Sequence, residues 1–440
     1  MSSVFYFTLY QTQYDPMAPF SIFNPKLRQS KKPNLIGYIL SDNHSSSDSY
    51  SSTKNIEEIY ILAWTKLFDK VWAERLIENC DRAPQARCRL SDDRAYLNRS
   101  AAVLFHARDI IHSDLPPMKY KHQKYVFYSA ESPVLTFAAL QGASSRFFDW
   151  AMTYRTDSHI FCPYSYFEPL ITSNSVAINE QYFNESMEEF AGFISNQSDW
   201  FGAFLKKRSK MVLWIVSNCD THSKRERYIY ELQKYIQVDI FGECGQPCDE
   251  TNDCTKILQE YKFYISFENA VCQDYISEKF GSRMAVGMIP IVLQREDYDR
   301  VVPWQGSSKF FWSDQNHTDR AHNRSRYYFI AADDFGNPKE LADYLIYLAS
   351  NAKEYAKYFE WHRQWKIVPS GNKYCFCDLC TKLYEEREQV RLITRKMNSS
   401  AANLITGHDE HNVENFDIHQ WWNINTCKRG LAIDLINGRR

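Results

Sequence analysis

No stretch of about 18 apolar residues occurs in this 440-residue chain, so no segment reads as a transmembrane helix. Residues 1–20 are aromatic, but Gln11, Gln13, Asp15 and Pro16 interrupt them and the layout of a signal peptide is missing. A secretory reading therefore expects either an amino-terminal anchor outside this sequence or unconventional targeting. An excess of charge is lacking as well. The 52 Lys and Arg against 54 Asp and Glu leave a formal net charge of −2, with no basic stripe for nucleic acid and no polybasic surface for lipid. The 12 histidines are scattered without a ligand pattern, and no second CxxC accompanies Cys377-x-x-Cys380. No internal repeat of about 20 to 50 residues is present, which excludes a solenoid or propeller.

What is present describes a folded protein. Hydrophobic residues make up 44% and charged residues 24%, and the length suits two to three domains. The 29 Tyr and 28 Phe suit sugar faces and ordinary cores alike. The 12 cysteines stand at positions 80, 88, 162, 219, 244, 248, 254, 272, 375, 377, 380 and 427. Asn-X-Ser/Thr sequons occur at Asn43, Asn98, Asn184, Asn196, Asn316, Asn323 and Asn398. Together these favour an oxidising, secretory compartment over free buried thiols and unused sequons.

Along the chain, residues 1–55 read as a poorly ordered stem, polar and serine-rich over 26–55, with a long surface loop as the alternative. Strand-like runs at 58–64, 101–106, 124–129 and 149–154 alternate with helical or turn-rich stretches, giving a first α/β domain over 56–204. A second covers 205–384. Its apolar run at 211–216 is of strand length and reads as buried on both faces. A helix over 224–235 and a strand over 238–241 closed by Gly242 complete a strand–helix–strand unit, and ligands bind at the carboxyl edge of such parallel sheets. A strand over 261–268, a helix from Tyr275 to about Gly287 stopped by Pro290, a strand at 291–293, a strand-like run at 327–330 and a helix over 338–349 follow. The architecture expected is two successive α/β domains with a cleft between them. Residues 385–440 are polar and irregular, a disordered or loosely packed tail by default.

The chemistry concentrates in Phe267-Glu-Asn-Ala-Val-Cys-Gln-Asp-Tyr-Ile-Ser-Glu-Lys279. With Asp274 as N-cap, Tyr275, Glu278 and Lys279 share one face of the first helical turns. A helix amino terminus offers N–H groups to an anion, Lys279 adds an ammonium, and Glu278 can accept hydrogen bonds from hydroxyls. Charge at one end and hydroxyls at the other suit a nucleotide-sugar; a Glu-Lys pair on a solvated helix face is the plainer alternative.

This segment resembles the signature of glycosyltransferase family 10, the α1,3-fucosyltransferases: Phe267-Glu-Asn269, Asp274-Tyr-Ile-Ser-Glu-Lys279 and Gly287-Met-Ile-Pro-Ile-Val292. Val216-Ser-Asn-Cys219 with Arg225, Val238-Asp-Ile-Phe-Gly242, Tyr128-Ser-Ala-Glu-Ser-Pro133, Trp150-Ala-Met-Thr-Tyr-Arg155-Thr-Asp-Ser158 and Cys377-Asp-Leu-Cys380 agree in the same order, over roughly residues 56–384. The resemblance implies a GT-B fold of two Rossmann-like domains with the active site in the cleft, the acceptor on the first and GDP-fucose on the second. It implies that Arg225 and Lys279 bind the diphosphate, that Tyr275 and Glu278 contact the fucose or ribose, that Asn269 shapes the pocket, and that Glu131 is the general base of an inverting transfer. Ser277 stands where the family usually has Thr, which keeps the hydroxyl. Gln294 stands where it often has Gly, which puts the loop at 294–297 in question.

A Golgi enzyme fucosylating an N-glycan or glycoprotein follows from the resemblance, with membrane attachment only through an amino-terminal anchor. The cysteines at 219, 244, 248, 254 and 272 resemble those of the invertebrate branch that modifies the glycan core, where disulfides would brace the donor loops. Transfer to an antennal N-acetyllactosamine is the close alternative, and an inactive lectin-like protein one of another class; the latter predicts loss of Glu131, Arg225 or Lys279, and all three are present. Asp297-Tyr-Asp299 is a short DxD of the kind that holds a divalent metal, but Arg225 and Lys279 already supply positive charge, so no cofactor is expected and no metal is expected to be essential. For Cys377 and Cys380, a disulfide within the pair and a tie to the core are both open.

Overall fold

The computed structural model describes residues 58–80, 82–170, 204–248, 254–303, 327–369, 372–399 and 416–439. The proposed stem and the sequons at Asn43, Asn184, Asn196, Asn316 and Asn323 lie outside these residues; Asn98 is exposed on a 3-10 turn at 94–99.

Two sheets organise the chain. The first runs β1 (Ile59–Ala63), β2 (Arg75–Ile77), β3 (Cys88–Ser91), β4 (Ser100–His106), β5 (Lys124–Ser129), β6 (Trp150–Thr153) and β7 (Ile160–Phe161), in the spatial order β2-β3-β1-β4-β5-β6-β7. All of its pairs are parallel except β2 with β3. Helix α1 (Pro133–Leu140) follows β5, with Pro133 at its first turn, where a missing N–H costs nothing. β8 (Tyr166–Pro169) leaves the sheet. The second sheet is wholly parallel, built from β9 (Lys210–Ile215), β10 (Val238–Phe241), β11 (Tyr261–Ile265), β13 (Ile289–Val292) and β14 (Ile330–Ala331), in the order β10-β9-β11-β13-β14. β12 is the short strand Val271–Cys272. The helices of this half are α2 (Arg225–Leu232), α3 (Glu278–Ala285), α4 (Glu296–Asp299), α5 (Pro338–Ser350) and α6 (Ala352–Ala356). β15 (Trp365–Val368) pairs antiparallel with β8, so one two-stranded ribbon carries a strand from each half of the chain.

Most of the strands expected from the sequence fall within a residue or two of their positions because period and burial agree there. β9 reads KMVLWI with its last four residues buried on both faces, as a central parallel strand requires. Gly242 is needed after β10: φ is +90°, and a Cβ would sit 2.6 Å from the Val216 carbonyl oxygen. Pro290 does not merely end a helix. It lies inside β13, opposite Tyr264.

The carboxyl-terminal segment from Asn372 departs from the sequence-based expectation. Helix α7 (Asn372–Ser399) crosses the proposed boundary at 384 and packs Cys375, Phe376, Leu379, Cys380 and Leu383 against the first sheet, not the second. Cys80–Cys377, Cys88–Cys380 and Cys162–Cys375 tie it there, so the CxxC is two separate anchors and not a bond within the pair. Residues 416–439 are not a loose tail. They form α8 (Ile418–Trp421), β16 (Cys427–Lys428) and α9 (Leu431–Ile436). Trp422 is fully buried against Phe127 and Tyr154 of the first half and donates its indole N–H to Thr136 at 2.7 Å. Ala432 and Leu435 enter the core of the second. This strap therefore spans both halves.

Candidate active site

The carboxyl edges of the two sheets meet along a seam. On the second sheet, the loop after β9 leads into α2, whose first residue is Arg225. Its side chain is 3% exposed and donates to the carbonyls of Phe267 (2.5 Å) and Asn218 (3.4 Å). Among the described residues it has no ion pair, and its Nε has no partner. Burial pulls its pKa down, and the nearby charge of Glu268 offsets only part of the lost hydration. Asn269, in the neighbouring loop, accepts from the Ser223 amide through its carbonyl at 3.0 Å, while its buried side-chain oxygen has no partner.

The Asp274–Lys279 segment is built differently from the helix start expected. Asp274 is not the N-cap. It adopts a left-handed φ of 57°, and its carboxylate accepts from the Thr156 amide (3.1 Å) and hydroxyl (2.8 Å) on the first half. The helix begins at Glu278 with Ser277 as cap, so Tyr275 precedes it and does not share its face. Glu268, which sequence reasoning passed over, supports this turn: buried, it accepts from the Ser277 amide and hydroxyl, each at 2.8 Å, and from the Lys279 ammonium at 3.3 Å. Lys279 also meets the Ser277 hydroxyl (2.7 Å) and Glu278 (3.2 Å). Burial opposes the Lys279 charge, but the carboxylates of Glu268 and Glu278 outweigh it and raise the pKa. Burial likewise opposes the Glu278 charge, and Lys279 beside it lowers that pKa.

Glu131 faces this cluster from the first sheet, in the turn between β5 and α1. The Tyr275 hydroxyl donates to its carboxylate at 3.4 Å, across the seam. Tyr275 packs at a tilt against Tyr154, their ring centroids 4.9 Å apart, and burial with the nearby Glu131 charge keeps its phenol protonated. Burial raises the Glu131 pKa, against the pull of Arg108 and Lys279. His106, at the end of β4, is fully buried and pairs through Nδ1 with Asp109 at 2.5 Å. The six residues proposed from sequence thus fall on adjacent loops of the two facing edges. Arg225, Asn269, Glu278 and Lys279 lie on the second half, and Tyr275 reaches Glu131 on the first.

The DxD carboxylates are occupied. Asp297 is buried, accepts from the Asp274 amide at 3.2 Å and is bound by Gln294 and Arg300; Asp299 pairs with Arg295 at 3.4 Å. Gln294 also accepts from Lys428 of the strap at 2.9 Å, which ties down the loop where Gly is more usual. Among the described residues no group of three or more His, Cys, Asp and Glu side chains is arranged to hold a metal.

Comparison with known proteins matches residues 56–165 to the family model "Fucosyltransferase, N-terminal" and residues 205–308 and 313–399 to "Glycosyltransferase family 10 (fucosyltransferase) C-term". Alpha-(1,3)-fucosyltransferase C of Drosophila melanogaster is 28% identical over 349 residues, 74% of this chain and 73% of that protein. The 4-galactosyl-N-acetylglucosaminide 3-alpha-L-fucosyltransferase FUT6 of Pongo pygmaeus is 30% identical over 345 residues, 76% and 81% respectively. A crystal structure of an alpha1,3-fucosyltransferase with GDP-fucose aligns with a TM-score of 0.40 at 16% identity, over 69% of this chain and 81% of that one.

The signal that would have found Glu268 is its position: a carboxylate at the end of a buried strand, eleven residues before a lysine, needs a cation or a helix start. Glu268→Gln should lower stability by about 1.5–3 kcal/mol in urea unfolding, as hydrogen bonds to a charged group are lost. A loss below about 0.5 kcal/mol would show that the carboxylate does not hold the turn.

Proposed function

The chain belongs to glycosyltransferase family 10, the fucosyltransferases, and from that membership we propose that it transfers L-fucose from GDP-β-L-fucose, with inversion, to the 3-hydroxyl of an N-glycan GlcNAc, the Asn-linked core residue first. The observation that carries the reading is the meeting of Glu131 with Tyr275 across the seam, which brings a carboxylate of one sheet edge to the cationic loops of the other.

In this reading GDP-fucose lies along the second edge, with Arg225 and Lys279 at the diphosphate, Tyr275 and Glu278 at the sugar or ribose, and Asn269 shaping the pocket. The acceptor hydroxyl attacks the anomeric carbon from the face opposite GDP. Its proton passes to Glu131 as the bond from that carbon to the phosphate oxygen breaks, and GDP leaves with the electron pair. Charge grows on the diphosphate in the transition state, so fixed cations already out of water lower the barrier. Those cations, and the engagement of both carboxylates of Asp297-Tyr-Asp299 by protein groups, support transfer without an essential divalent metal. The disulfides Cys219–Cys244, Cys248–Cys254 and Cys272–Cys427 brace the loops around the donor edge, as in the secretory, Golgi-type setting proposed. A second acceptor is favoured by the relatives named 4-galactosyl-N-acetylglucosaminide fucosyltransferases: an antennal N-acetyllactosamine.

Glu131→Gln should keep GDP affinity and cut turnover by about 10²–10⁴-fold. Since burial raises the Glu131 pKa, wild-type kcat/KM should fall, as pH is lowered, above the ordinary glutamate value of 4.5, and this acid limb should vanish in the variant. Full turnover in Glu131→Gln would move the base elsewhere. Incubation with GDP-fucose, an N-glycopeptide and free N-acetyllactosamine, with EDTA present, should give fucose on the innermost GlcNAc by mass spectrometry. Fucose only on lactosamine makes the enzyme antennal, and activity that returns only with manganese removes the metal-free mechanism.

A further inference from the structure

The strap of residues 416–439 lies beyond the family-matched residues, which end at 399. It crosses the donor edge. The Gln273 amide donates to the Thr426 carbonyl at 3.2 Å, and β16 pairs antiparallel with β12, Lys428 opposite Val271 and Cys427 opposite Cys272. The Gly430 amide then donates to the His222 carbonyl at 2.9 Å, and the Ala432 amide to the Ser223 carbonyl at 3.1 Å. Gly430 makes the turn with a φ of +66°, and α9 anchors the end in the core of the second half. Arg429 is thereby set beside the two loops that carry Arg225 and Asn269.

The surroundings of this arginine set it apart from one elsewhere on the surface. It is exposed, and among the described residues it forms no ion pair or hydrogen bond. It stands among like charges: burial and then the charges of Arg429 and Lys224 depress the His222 pKa. Buried polar atoms of the loops that the strap binds also lack partners, namely Nε of Arg225, Nδ1 of His222 and the side-chain oxygen of Asn269. Lys224 is paired with Asp220, so among the described residues Arg429 is the cation of this strap and loop left for an incoming anion, on the edge that also carries the desolvated Arg225.

We propose that Arg429 is a further donor-binding residue, contacting the diphosphate of the nucleotide-sugar from the carboxyl-terminal strap. The proposal rests on the assignment of this edge to GDP-fucose. Through it, the Cys272–Cys427 bond and the β12–β16 ladder acquire a function beyond stability, because they hold a cation of a distant segment at the donor site.

The test is binding of GDP, by calorimetry, and of guanosine, by ligand-observed NMR, to wild type, Arg429→Ala and Arg429→Lys at low and high salt. Arg429→Ala should weaken GDP by about tenfold or more and leave guanosine unchanged; Arg429→Lys should recover most of the loss, and the loss should shrink at high salt. Unchanged GDP affinity in Arg429→Ala, or equal losses for GDP and guanosine, would overturn the proposal while leaving the donor site in place. Failure of the wild type to bind GDP would overturn the donor assignment itself.

Discussion

Arg225 has left water almost entirely, yet its guanidinium meets two carbonyl oxygens and, among the described residues, no carboxylate. Such a charge is expensive, and a well-packed apolar side chain would serve stability better. The second cation of the proposed donor edge is treated differently. Lys279, eleven residues beyond Glu268, is handled in the opposite way: two carboxylates hold it charged and aimed. In the proposed function, one cation is kept in reserve for an incoming anion and the other is fixed in place, so that both are ready before the leaving diphosphate gains charge.

Holding such a site rigid falls to contacts that cross between the halves. Thr156 grips Asp274, Arg155 donates to the Trp421 carbonyl at 2.5 Å, and Trp422 fills the space between Phe127 and Tyr154. Three disulfides fasten α7 to the first sheet and a fourth fastens the strap to the donor loop. In an oxidising compartment these cross-links remove freedom from the unfolded chain and also fix where loops stand in the folded one.

The sheets were legible in the sequence because local pattern and burial coincide in them. β5 and β10 were expected at the residues where they occur. The residues proposed for the site converge because loops at one end of parallel sheets must do so. What was not legible was decided by distant partners. Asp274 looks like an N-cap by local rules, but Thr156, over a hundred residues earlier, claims its carboxylate, and the helix starts three residues later than its cap propensity suggests. The segment from 416 has no periodic apolar face and reads as tail, yet two tryptophans, a cysteine and a left-handed glycine suffice to dock it. The same holds for α7, whose helical pattern carries no sign of which sheet it covers.

Arg225→Met tests the central claim most directly, because it removes the buried charge and keeps most of the volume. Urea unfolding of the ligand-free protein should show a stability within about 1 kcal/mol of wild type or above it, while GDP affinity falls by about tenfold or more. A ligand-free protein weakened by about 3 kcal/mol or more that still binds GDP as tightly as wild type would contradict the account, making the guanidinium a structural group and not one held for the donor.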